Sequence, residues 1–299
     1  MHTLGNYIIR GRMQAMGIIS LLAVFSLLLP VLFYPFMYPI CGVPLALLTM
    51  RRGPAIGFQV LTGSFVLTTV LYWLLGIRQD VIQIIALTVW LPVYCCAVVL
   101  RLTNAQVWMI IAAGLIGILS VTGLQLYMGD VAEWWRGEVG QIMVNFLAAT
   151  DQAQPQEILD TILSLMNALM VSGMIVNLIL STLIARWWQS LLFNPGGFKI
   201  EFAAITLPRG LLLVVFSLGM ILLLAGHQQI PLLRDILILT VIPYVFQGVA
   251  AVHRAVRKKN LSVYWLVCMY ILMFSLPMIL FIACLGMMDS LFFKRNAHP

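Results

Sequence analysis

Residues 162–185 read ILSLMNALMVSGMIVNLILSTLIA, from Ile162 to Ala185, without one charged side chain. At about 1.5 Å of rise per residue, a helix over that stretch crosses the roughly 30 Å hydrocarbon core of a bilayer. No soluble domain needs an element of this kind. Its neighbours follow the same pattern. Apolar runs at Met16–Phe33, Met37–Met50, Ala55–Leu75, Val81–Leu100, Gln106–Tyr127, Leu211–Ala225, Ile236–Val252 and Leu261–Met287 alternate with short charged segments.

The whole chain of 299 residues is 62% hydrophobic and 9% charged, against about 45–50% and 25% in soluble domains. A β-barrel would alternate polar and apolar residues over segments of about 10, which these continuous runs do not. The expected fold is therefore an all-α integral membrane protein, a bundle of eight or nine transmembrane helices. The lower count applies if the segment around Pro35, Pro39, Gly42 and Pro44 is re-entrant. The chain reads as one membrane domain, 1–299, in three parts: a first helix group (16–127), an outer connector (128–160) and a second helix group (161–299). Arg10 and Arg12 resemble the charged start of a signal peptide, but the apolar run after them is too long and lacks a small-residue cleavage site, so the first span is expected to stay as an anchor.

Alternating nine spans from a cytoplasmic N-terminus puts 12 of the 17 Lys and Arg inside: Arg10, Arg12, Arg51, Arg52, Arg101, Arg186, Lys199, Arg209, Arg254, Arg257, Lys258 and Lys259. Arg78, Arg136, Arg234, Lys294 and Arg295 fall outside. Of the 10 acidic residues only Glu201 falls inside, so the formal charge divides into +11 inside and −4 outside, summing to +7. The positive-inside rule explains the basic balance without nucleic acid, and no nucleic-acid partner is expected. Lys294 and Arg295 are the two residues that run against it.

Two stretches do not read as simple spans. In the outer connector Val139, Ile142, Met143, Phe146 and Leu147 recur at helical spacing, which predicts an amphipathic helix with Trp134 and Trp135 at headgroup depth. Pro155 suits the first turn of the next helix, with Glu157 and Asp160 near its N-terminal dipole. On the inner side, residues 186–209 form an interfacial elbow. Asn194-Pro195-Gly196-Gly197 dictates a tight turn. Trp187 and Trp188 would anchor one arm, Phe198 and Phe202 the other, and these four are the candidate contacts for a membrane or cytoplasmic protein partner.

The inner segment ARWWQSLLFNPGGFKIEF (185–202) and the early PLALLTMRRGPAIG (44–57) resemble the YybS-like family of bacterial polytopic membrane proteins. That family is distantly similar to the substrate-binding subunits of energy-coupling-factor vitamin transporters. The resemblance implies a bacterial inner (cytoplasmic) membrane protein, and the positive-inside count gives it a cytoplasmic N-terminus. The resemblance also implies a bundle that binds a small solute near its outer face and works with a separate coupling subunit and ATPases. No binding residue carries over by motif.

Catalysis by this chain alone is not expected: GxxxxGK[ST], HExxH and GxSxG are all absent. Cys41, Cys95, Cys96, Cys268 and Cys284 lie in apolar runs, with no spacing suited to a metal, and read as packing residues. Neither metal nor cofactor is expected. A lipid-modifying enzyme would have to draw on Asp130, Glu133, His227 or Asp235. No acidic residue falls mid-span, which argues against ion coupling. Solute recognition then rests on neutral groups toward the outer half, Tyr72, Trp73, Trp90, Gln125 and Asn167. The alternative function is a non-transporting scaffold or assembly factor for other envelope proteins.

Overall fold

The computed structural model describes residues 2–28, 34–149, 155–226 and 230–292, and every regular element among them is a helix. In chain order these are α1 (His2–Arg10), α2 (Arg12–Leu28), α3 (Tyr34–Arg52), α4 (Pro54–Leu74), α5 (Gln79–Ile85), α6 (Leu91–Thr103), α7 (Gln106–Met128) and α8 (Val131–Ala149). There follow α9 (Pro155–Phe193), α10 (Gly197–Ala203), α11 (Arg209–Ala225), α12 (Pro231–Lys258), α13 (Tyr264–Leu272) and α14 (Leu276–Phe292). Pro54, Pro155 and Pro231 each open a helix, where the missing N–H has no intrahelical partner to lose.

Five helical segments are long and apolar enough to cross a membrane: α4, α5 with α6, α7, α9 and α12. The pair α13 and α14, bent by 120° at their junction, makes a sixth if the two count as one span. This is fewer than the eight or nine expected from the apolar runs. α2 and α11 each have 17 residues and fall short in length, while α3 is diluted by its prolines and tyrosines. The run Leu261–Met287 is broken into two helices. Pro277 has no N–H to give and its ring collides with the carbonyl four residues back, so the helix stops at Leu272 and restarts at Leu276. At Pro92 the same defect is absorbed differently, by widening residues Ala86–Trp90 into a π-turn that keeps α5 and α6 continuous.

The chain gathers into two compact units, each assembled from separate stretches. Unit 1 comprises 1–113, 176–206 and 250–266; unit 2 comprises 114–175, 207–249 and 267–299.

Within unit 1, α3 packs against α1, α2, α4 and α6, and every residue from Cys41 to Met50 is buried. Close approach relies on small residues: a β-carbon at Gly57 would come within 2.3 Å of Thr49 Oγ1, and one at Gly42 within 3.2 Å of Ser181 Oγ. Ser181 donates to the Pro39 carbonyl at 2.8 Å, so the proline-interrupted helix is served by a neighbour's hydroxyl. Arginines close three helix C-termini in this unit. Arg52 donates to Ile9 O at the end of α1 (3.1 and 3.0 Å), Arg101 to Met50 O near the end of α3, and Arg254 to Ala203 O at the end of α10 (2.6 Å). Each guanidinium meets carbonyls that the helix leaves without partners.

The elbow has the two arms and single turn expected of it. Its first arm is the uninterrupted C-terminal end of α9, and its second is the seven-residue α10. Arg186 in α9 grips Glu201 in α10 through two bonds, Nε to Oε2 at 2.8 Å and Nη2 to Oε1 at 2.7 Å. Phe198 stacks on Phe202, whose ring meets His253 edge-on at 5.6 Å. A β-carbon at Gly5 would lie 2.9 Å from the Trp188 indole nitrogen. Three of the four aromatics singled out from the sequence are thus half-buried against their own chain, and only Trp187 is exposed.

Unit 2 shows the tightest helix crossing. A β-carbon at Gly248 in α12 would come within 2.0 Å of Ile282 O in α14, and one at Gly286 within 2.1 Å of Tyr244 O. Beside this crossing Gln247 accepts from Leu207 N (2.9 Å) and Ser290 Oγ (3.0 Å), and donates to Asp289 Oδ2 (2.8 Å). Arg209, at the start of α11, donates to the Ser290 and Leu291 carbonyls that end α14. The end of α14 therefore lies level with the start of α11. Nine alternating spans would have put those two points on opposite sides of the membrane. His227 and the tail residues Lys294 and Arg295 lie outside the described residues.

Candidate functional site

A concavity in unit 2 is built from helix ends. α7 finishes at Met128 and Gly129 turns the chain at φ 70°, a conformation that glycine adopts without strain. Asp130 then caps α8, its Oδ1 accepting from Glu133 N at 3.0 Å. α8 lies along the first turns of α9, with Ala132, Trp135 and Val139 against Leu159 and Leu163. Trp135 Nε1 donates to Asn167 Oδ1 at 2.8 Å, which pins α8 to α9. A helix covers the stretch where an amphipathic one was expected, with Val139 packed against α9 and Ile142 exposed. The side chains of Met143, Phe146 and Leu147 lie outside the described residues.

Between the C-terminal turn of α7, the start of α8, the first turns of α9 and the start of α12 opens a basin of about 940 Å³. Gln125, Asp130, Glu157, Asp160, Thr161, Ser164 and Arg234 supply its polar lining, and Leu165 and Pro231 part of its apolar lining. Arg136 pairs with Asp160 at 2.5 Å, with both side chains more than half exposed. Arg234 is held more firmly: it donates to Ser164 O at 2.5 Å and to the buried Asp235 at 3.2 Å. Gln125 Oε1 is buried and has no hydrogen-bond partner among the described residues.

Five residues were singled out from the sequence for solute recognition. Gln125 lines the basin. Asn167 is fully buried nearby on α9, its carbonyl taken by Trp135 and its Nδ2 unpartnered. The other three belong to unit 1. Tyr72 is buried and donates to Ala23 O at 3.2 Å, Trp90 is buried in the π-turn with its Nε1 unpartnered, and Trp73 is 73% exposed on the outside of α4. The carboxylates and Arg234 were missed as a group because three separate helix starts bring them together. The available signal was that Asp130, Glu157 and Arg234 each sit within a few residues of a predicted helix start.

Continuous apolar helices and a polar basin at their ends define a polytopic helical membrane protein. A family model matching residues 17–290 narrows the class, and the chain belongs to that family, DUF2232, described as predicted membrane proteins. Among curated proteins and among solved structures nothing matches.

Proposed function

We propose that this chain is the solute-receiving subunit of an inner-membrane system, taking a small polar molecule into the unit 2 basin from the outer face. One observation carries the reading: about 940 Å³ of space lined by polar residues of three helix starts and by Gln125 at the end of α7. That volume is in the range of small-molecule sites, roughly 300–1,000 Å³. Asp130, Glu157 and Asp160 against Arg234 favour a solute rich in hydrogen-bond donors or carrying a positive charge. The resemblance to substrate-binding subunits of energy-coupling-factor transporters supports the same role. The coupling partner such a subunit requires would meet the exposed edge of the elbow, Trp187, Phe193 and Ile200.

The topology that fits this reading has eight crossings, α2, α3, α4, α5 with α6, α7, α9, α11 and α12, with the N-terminus cytoplasmic. α13 and α14 then enter and return on the cytoplasmic side, as the Arg209 contact to the end of α14 suggests. Lys294 and Arg295 fall inside on this count, and only Arg78, Arg136 and Arg234 stay outside.

The test is to purify the protein in mild detergent and identify by mass spectrometry the small molecules it releases on denaturation. A stoichiometric solute whose retention falls at least tenfold in Gln125→Leu is the expected result, a change of about 1.4 kcal/mol. Absence of any retained solute in the unaltered protein, with no thermal stabilisation by a panel of polar metabolites, would overturn the reading.

A further inference from the structure

A second, smaller concavity lies in unit 1, where α1 breaks and α2 begins. It encloses about 180 Å³ and is lined by Ile9, Arg10, Gly11, Arg12, Leu48, Arg52 and Ile56. That is three guanidinium groups and no carboxylate. Its size suits a small anionic group rather than a whole metabolite, given the roughly 300–1,000 Å³ of small-molecule sites.

The surroundings make the charge imbalance sharper. Unit 1 holds two acidic residues, Asp80 and Glu201, and both are engaged, with Arg78 at 2.6 Å and Arg186 at 2.7 Å. No carboxylate of this unit is left for the crevice. Arg10 and Arg12 form no ion pair among the described residues, and both are exposed. Arg52 is fixed in place by its Nε and Nη2 bonds to Ile9 O, which leaves Nη1 with no hydrogen bond to the described residues.

Two helix starts also border this crevice. The first α-helical bond of α2 is Ala15 N to Gly11 O, so the N–H groups of Arg12, Met13 and Gln14 have no carbonyl of their own helix. In α4 the first is Gly57 N to Gly53 O, so those of Ala55 and Ile56 are likewise unserved. Helix N-termini and arginine forks are the two devices by which proteins hold phosphate oxygens. α2 and α4 run from here into apolar sequence, so in the topology proposed above the crevice sits at headgroup depth, where charged chain gives way to apolar helix.

We propose that this crevice binds the phosphate of an anionic ligand, held by Arg10, Arg12 and Arg52. A phospholipid headgroup and soluble phosphate offer the same chemistry, and the experiment separates them. The purified full-length protein in detergent is titrated with phosphatidylglycerol, phosphatidylcholine and inorganic phosphate, with binding read by native mass spectrometry. Each basic residue near an anionic headgroup contributes about 1 kcal/mol, so Arg10→Gln/Arg12→Gln should weaken phosphatidylglycerol binding by at least about tenfold. Arg10→Lys/Arg12→Lys should keep most of the binding, and Lys258→Gln/Lys259→Gln, which removes the same charge elsewhere in unit 1, should leave it unchanged. The single Arg12→Gln variant should show a smaller loss, and it covers the case in which the double variant does not fold.

Preference for phosphatidylglycerol over phosphatidylcholine with that variant pattern assigns the site to lipid. Inorganic phosphate binding with the same pattern, and displacing the lipid, assigns it to soluble phosphate. Equal binding by the unaltered protein and the Arg10/Arg12 double variant would overturn the proposal, as would equal losses at Lys258 and Lys259.

Discussion

Unit 1 carries twelve of the 17 basic residues and two of the 10 acidic ones, and unit 2 carries the remaining five and eight, so the +7 of the chain divides into +10 and −3. The two units use charge at opposite ends of helices. In unit 1 arginines close C-termini, at Ile9, Met50 and Ala203. In unit 2 acids occupy N-termini, with Asp130 capping α8, Glu133 in its first turn and Glu157 in the first turn of α9. Both choices complement the helix dipole. Where cations saturate carbonyls and their few carboxylates are taken, spare positive charge collects, as in the crevice at Arg12. Where acids gather around helix starts, the result is a polar basin.

The sharpest way to break this comparison is topological. A periplasm-active reporter fused after Gly129, beside the acid-capped helix starts, should be active. Fusions after Gly197 and after Phe292 should be silent. A silent Gly129 fusion would reverse the orientation, and an active Phe292 fusion would restore a single crossing for residues 261–287.

A large stability effect is expected at the unit 2 crossing. Gly248→Val drives a side chain into the Ile282 carbonyl, which cannot move aside, and should cost about 3 kcal/mol or more in thermal unfolding. Gly63→Ala in unit 1 meets only the flexible end of Met16, so about 1 kcal/mol or less is expected there. Equal costs would remove the distinction between backbone contact and side-chain contact.

Ion pairs should rank next. Glu201→Ala strips the half-buried Arg186 of a bidentate partner and should destabilise by about 2 kcal/mol. Asp160→Ala breaks the Arg136 pair, whose side chains are 55% and 60% exposed, and should change stability by less than about 1 kcal/mol. If added salt weakened both by the same amount, the partial burial of the Arg186–Glu201 pair would have no energetic meaning.

The apolar runs were legible in the sequence because each is a local property, and so were the Asn194–Gly197 turn and the helix start at Pro155. The break in the run Leu261–Met287 was not legible, because Pro277 interrupts its helix completely whereas Pro92 only widens one, and composition does not distinguish these outcomes. Of the candidate recognition residues, Gln125 was chosen because a polar side chain near a span end stands out, and it lines the basin. Tyr72 was chosen on the same ground, but its hydroxyl serves the Ala23 carbonyl. The basin as a whole depends on three helix starts meeting, which no single stretch encodes.

α13 and α14 meet at 120° and, in the proposed topology, begin and end on one side. They then displace lipid from one leaflet and leave the other untouched, with Phe274 at their junction 87% exposed. A helix pair inserted in this way takes up area in one leaflet only, so the free energy of its insertion depends on how tightly that leaflet is packed.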